Sequence, residues 1–125
     1  MERLSIRIPP GTTHVASVRA FVGAVGRSIG CSEEAVDDLR LVATEACAQA
    51  IEEDAQDGIE VRSIVDGSRL LLEIEPCGRF DRAPEGLDGV SGRSTRRALI
   101  EGLFPDAEFE HEREILRVAV PIAPA

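Results

Sequence analysis

Residues 32–54, SEEAVDDLRLVATEACAQAIEED, constrain the fold more than any other part of the chain. Ser32 is a helix-capping residue. Glu33 and Glu34 put negative charge in the first turn, where the helix dipole favours it. Val36, Leu39, Ala43, Ala46, Cys47 and Ala50 recur at three- and four-residue spacing, which predicts a long amphipathic helix laid against a core. Glu45 and Gln49 lie four residues apart, one turn above the other and off that stripe. From spacing alone the pair is either a solvated surface pair or the floor of a site.

The flanks predict the rest of the architecture. Residues 3–8, RLSIRI, alternate as a half-buried strand with Leu4, Ile6 and Ile8 on one face, ended by Pro9, Pro10 and Gly11. Thr12 or Thr13 is placed to cap a helix over about 14–29, with Val15, Val18, Phe21, Val22, Val25 and Ile29 inward and Gly30 as its stop. After the long helix, residues 59–65 and 69–75 form a hairpin about Asp66-Gly67, and the run Leu70-Leu71-Leu72 predicts burial on both faces. Residues 76–91 carry Pro, Gly and charge without a period, so they read as a long loop and a functional candidate. A short helix over 94–103, with Ala98, Leu99 and Leu103 inward, ends at Pro105-Asp106. Two strands close the chain, over 107–110 and 115–120.

This order predicts one α+β domain over residues 1–125, a two-layer sandwich with a mixed, mainly antiparallel sheet and helices on one face. With no Trp or Tyr and four Phe, its core must be aliphatic. The net charge of -9 argues against nucleic acid and anionic membrane as partners, since both select clustered Lys and Arg. Cys31, Cys47 and Cys77 give no disulfide or zinc spacing, and MERLSIRIPPG lacks the apolar core of a signal peptide, so a cytoplasmic setting is expected. His14 and His111 are too isolated in sequence to be read as ligands, and nothing local ties either to a nucleophile.

The element order, together with DDLRLVATEACAQAI, resembles the ATP-binding (Bergerat-type) domain shared by histidine kinases, gyrase, the heat-shock 90 chaperone and the mismatch-repair MutL proteins. Within it the chain is most similar to the short anti-sigma-factor serine kinases of bacteria. In that family the long helix carries Glu-x-x-x-Asn, the Glu as base and the Asn oxygen on the magnesium that bridges the ATP phosphates. The resemblance gives Glu45 the catalytic place and Gln49 the metal place, with an amide one methylene longer. The family's Asp-x-Gly-x-Gly-Phe motif, whose Asp accepts from adenine, falls on EPCGRFD. Glu75 takes the acidic position, Asp81 is its rival, and Gly78 can restore backbone freedom if the register shifts by one. The last motif, a Gly-x-Gly-Leu turn whose N–H groups meet phosphate, falls on GVSGRSTRRALIEGL, with Gly89 and Gly92 in altered spacing. Arg93, Arg96 and Arg97 form a basic cluster there: phosphate ligands, a solvated helix start or a match for a partner's acidic patch.

All three motifs depart from the family pattern. What the resemblance implies is therefore a partner-switching regulator that holds a sigma factor or an anti-sigma-factor antagonist, with ATP and magnesium binding weakened or lost. The alternative is an active serine kinase of the antagonist. A homodimer through the sheet is a further implication of the resemblance.

Overall fold

Every expected element forms. The structure, a computed structural model, describes residues 2–53, 55–78 and 87–122, and of residues 87–94 the backbone alone. The elements are β1 (Glu2–Ile8), α1 (Val15–Ser28), α2 (Glu33–Glu52), β2 (Ile59–Asp66), β3 (Arg69–Pro76), α3 (Leu87–Leu103), β4 (Glu108–Glu110) and β5 (Ile115–Pro121). The strands make a five-stranded sheet in the order β1-β2-β3-β5-β4. Each of its four pairings is antiparallel, so the antiparallel character expected of most of the sheet extends to all of it.

Period-two alternation decides which side chains meet the helices. Ile59, Val61 and Ser63 on β2, Leu70, Leu72 and Ile74 on β3, and Leu116, Val118 and Val120 on β5 are buried. The apolar ones among them form one core with Val18, Val22 and Val25 of α1 and Val36, Leu39, Val42, Ala43, Cys47 and Ala50 of α2. Leu71 points the other way and is only half-buried, because no second layer of the described residues covers that face; burial of the leucine run on both faces is thus not reached. The edge strand β1 is covered at one end: Ile8 is buried, whereas Leu4 is 58% exposed.

The helix ends follow from local chemistry, with one correction. Ser32 Oγ accepts the Ala35 N–H at 3.1 Å, as its position required. Gly30 takes φ +89°, and the N–H of Cys31 returns to Gly26 O at 2.9 Å, the left-handed stop expected after α1. Thr12 and Thr13 do not cap α1. Residues Thr12–His14 make a 3-10 turn in which the Val15 N–H bonds Thr12 O, so backbone satisfies the helix start.

The largest departure is α3, which begins at Leu87 rather than near residue 94. Two glycines and a polar composition conceal its first two turns from a periodicity reading. The loop expected over 76–91 shortens accordingly, and 79–86 lie outside the described residues. The inward face also differs: Ile100 is buried and Leu103 half-buried, while Ala98 and Leu99 are exposed. Arg96, one turn before Ile100, turns in with it because the edge of α2 opposite carries Glu45, Gln49 and Glu52. Among the described residues no helix is long and apolar enough to cross a membrane.

Candidate functional site

A cavity of about 250 Å³ lies between the C-terminal half of α2, α3 and the near ends of β3, β4 and β5. Its floor is apolar: Ala46, Ala50, Ile74, Ile100 and Leu116. Its rim is polar, with Glu45, Gln49 and Glu53 from α2 and its cap, Arg96 and Arg97 from α3, Glu110 at the end of β4, and His111 and Glu114 from the β4–β5 turn. A size just under the usual range for small-molecule clefts, an apolar floor and a few convergent polar groups mark it as the candidate site. Glu45 and Gln49 therefore stand at the edge of a cavity and are not an isolated surface pair.

Both ends of the Gln49 amide are engaged. Its Nε2 donates to Glu53 Oε1 at 2.9 Å, and its Oε1 accepts from Arg96 Nη1 at 3.2 Å. A flipped amide would face NH2 to guanidinium and oxygen to carboxylate, so the partners fix its orientation. Arg96 also donates from Nε to Glu45 Oε2 at 3.3 Å and from Nη2 to Glu52 Oε1 at 2.7 Å. The hydrogen bond from Arg96 lowers the Glu52 pKa, and the same bond raises that of Arg96. Arg97 lies over the Phe109 ring, 4.2 Å from its centroid, and donates to Glu101 Oε1 at 2.9 Å.

The other expected site residues disperse. Glu75 pairs with Glu60 across the β2–β3 ladder, while Pro76 pairs with Ile59. Strand alternation thus sends Glu75 to the open face of the sheet, and Pro76 is the strand-end residue that lines the cavity. On the open face Glu75 accepts from Arg62 Nη1 at 2.9 Å and from Arg113 Nε at 2.9 Å. Glu75 is therefore corrected from a pocket residue to a member of a surface ion-pair network. Gly78 does take a conformation that favours glycine: its φ is +82°, and a Cβ there would lie 2.6 Å from Asp57 Oδ2. Asp81 lies outside the described residues. Gly92 and Arg93 fall in the second turn of α3, past the free N–H groups of the helix start, so Gly92 is not the phosphate-facing end of a helix. Of the proposed set, the structure brings together Glu45, Gln49 and Arg96.

The network on the open face joins Arg62 to Glu60, Glu73 and Glu75, and Arg117 to Glu73 and Glu108. Burial works against the charge on Glu73, but hydrogen bonds from Arg117 and Arg62 outweigh it and lower its pKa. For Arg62 burial is likewise the largest single influence, and bonds to Glu73, Glu75 and Glu60 overcome it and raise its pKa.

His111, Phe109, Glu110 and Glu114 were not legible as site residues. They reach the cavity because β4 pairs with the far edge of β5, and nothing local to residues 108–114 signals that pairing. Glu114 takes φ 56°, the left-handed region, at the turn that delivers them.

A two-layer sandwich with a cavity between its long central helix and a strand end is the architecture of one ATPase superfamily, and the sequence profile agrees. The profile of the histidine kinase-like ATPase domain matches residues 8–120, and the chain belongs to that family. It is 27% identical over 111 residues to the serine-protein kinase RsbW of Bacillus pumilus, a match spanning 82% of this chain and 68% of that protein. Among solved structures it is similar to the structure of the RsbU and RsbW domains of Rv1364c from Mycobacterium tuberculosis. That likeness has a TM-score of 0.67 at 20% identity over 96% of this chain. At that identity the second likeness speaks for the fold alone, and the chain spans 32% of that larger chain.

Proposed function

We propose that the chain is an anti-sigma-factor-like regulator. It acts by partner switching on a sigma factor or an anti-sigma-factor antagonist, with weakened or lost ATP binding. Family membership and the likeness to a serine-protein kinase support the regulatory role. The observation that carries the reduced nucleotide use is the engagement of Gln49, whose oxygen is already bonded to Arg96 and whose nitrogen is bonded to Glu53.

Magnesium and ATP fit the described residues poorly. Magnesium needs oxygen donors in near-octahedral order at about 2.0–2.1 Å. Here the Gln49 oxygen, the one donor that the resemblance gives to the metal, faces a guanidinium. The strand end that faces the cavity offers Pro76, which has neither a carboxylate nor an N–H for a base. Four carboxylates on the rim, Glu45, Glu53, Glu110 and Glu114, stand against two guanidinium groups, Arg96 and Arg97, and oppose a triphosphate.

Binding a partner protein needs none of those groups. The helical layer and the open sheet face both remain available as surface, and a homodimer through the sheet belongs to the same reading. The test is to mix the protein with candidate sigma factors and antagonists, then follow complex formation by size-exclusion chromatography and phosphate transfer from labelled ATP. The expected result is a stable complex without labelled antagonist. Labelling of an antagonist serine at a rate typical of kinases, about 1–100 per second, would establish the active kinase instead.

A further inference from the structure

Arg96 was one of three arginines read as a basic cluster, and the structure gives it a place of its own. Its guanidinium meets three side chains on one edge of α2: Glu45, Gln49 and Glu52, at spacings of four and three residues. Two of these are the pair that the family resemblance links to base and metal. Arg96 is itself largely withdrawn from solvent, with 22% of its side chain exposed.

We infer that Arg96 is a built-in cation that takes the charge-balancing place of a divalent ion beside Glu45 and Gln49, and so fastens α3 over the cavity without metal or nucleotide. The inference rests on the reading that the cavity is not a magnesium-ATP site.

The chemistry suits the substitution. Two carboxylates and an amide oxygen converging on one edge favour a positive charge between them. A guanidinium supplies it permanently, through donors in a planar fork, and needs no stripping of tightly held water. The longer arm of Gln49 is part of the device. Its oxygen reaches Arg96 while its nitrogen reaches Glu53, which is buried at 5% exposure. Arg97, beside it on α3, grips Phe109 of β4, so adjacent residues of one turn attach the helix to both walls of the cavity.

The test is chemical rescue read by amide hydrogen exchange. Wild type, Arg96→Gln and Arg96→Lys are compared over residues 95–103, with and without millimolar magnesium or manganese chloride and no nucleotide. The amides of β3 serve as the fold control. The Gln variant should exchange about tenfold faster in α3, as expected for loss of one or two charge-assisted hydrogen bonds. The divalent ion should restore much of that protection, Arg96→Lys should keep most of it, and wild type should not respond to metal.

Unchanged exchange in Arg96→Gln would overturn the inference. So would a loss that neither lysine nor a divalent ion repairs, since Arg96 would then be a packing contact alone. If Arg96→Gln does not fold, the lysine variant decides: protection near wild type supports the inference, and protection lost without metal rescue overturns it. A separate arm adds magnesium-ATP to wild type. Protection gained there, with none from metal alone, would count against the reading of the cavity rather than against the cation at Arg96.

Discussion

Replacing Glu75 with Gln separates the two places that carboxylate has been given. A pocket residue would change ligand binding, whereas a residue of the open-face network should change stability alone. Glu75 is 12% exposed in its side chain and accepts from Arg62, also 12% exposed, and from Arg113, which is 63% exposed. The Arg113 contact is mostly solvated and contributes at most about 1 kcal/mol. The Arg62 contact is charge-assisted and largely sheltered, in the range of about 1.5–3 kcal/mol. Gln keeps an acceptor oxygen of the same shape, worth about 1 kcal/mol to the retained bond, and Arg62 keeps Glu60 and Glu73. The net expected loss is about 1–2 kcal/mol. For a domain of this length that corresponds to a fall in Tm of about 4–8 °C. Differential scanning calorimetry at low and high salt measures it, and high salt should shrink the difference. A Tm within 1 °C of wild type, together with a changed affinity for any ligand of the α2–α3 cavity, would refute the placement of Glu75 and the strand register behind it.

Other expectations follow from the same geometry. Ser32→Ala removes the cap of α2 and should cost about 1 kcal/mol in urea unfolding, with no change in m-value. Burial pushes the Cys47 thiol up to about 12, so the folded chain keeps a proton that the unfolded chain releases near pH 9. Stability should therefore fall between about pH 9 and 12, with a slope near 1.4 kcal/mol per pH unit, and Cys47→Ala should flatten that limb. Glu73 and Glu52 have lowered pKa values, so the stability they contribute is present above the ordinary carboxylate range and is lost as pH falls through their folded values. Glu73→Gln should remove part of the acid limb in a stability-versus-pH series.

The helical half of this fold is legible wherever apolar spacing and punctuation agree. Ser32, the stripe from Val36 to Ala50, and Gly30 all act in the structure as their chemistry requires. The hairpin about Asp66-Gly67 is equally plain, with Asp66 opposite Arg69. What escapes the sequence is long-range. Whether Glu75 or Pro76 faces the cavity depends on a one-residue choice of strand face, and a single slip reverses it. The rim from the β4–β5 turn depends on an edge pairing without local signal. The inward face of α3 joins Ile100 and Leu103 to Arg96, which meets carboxylates on another helix, and a hydrophobic period cannot show that contact. Glu45 and Gln49 were visible as a pair, and the arginine that joins them was visible as one of three in a cluster. That it inserts between them is a fact of tertiary structure.

The most direct measurement is isothermal titration calorimetry of the wild-type protein with magnesium-ATP, beside the triple variant Gln49→Asn, Pro76→Asp, Arg96→Ala. The expected result is no heat for wild type, a Kd weaker than about 1 mM, with measurable binding appearing in the variant. Micromolar binding by wild type would contradict the account, because Arg96 would then have to leave Glu45 and Gln49 for a metal that their arrangement does not favour.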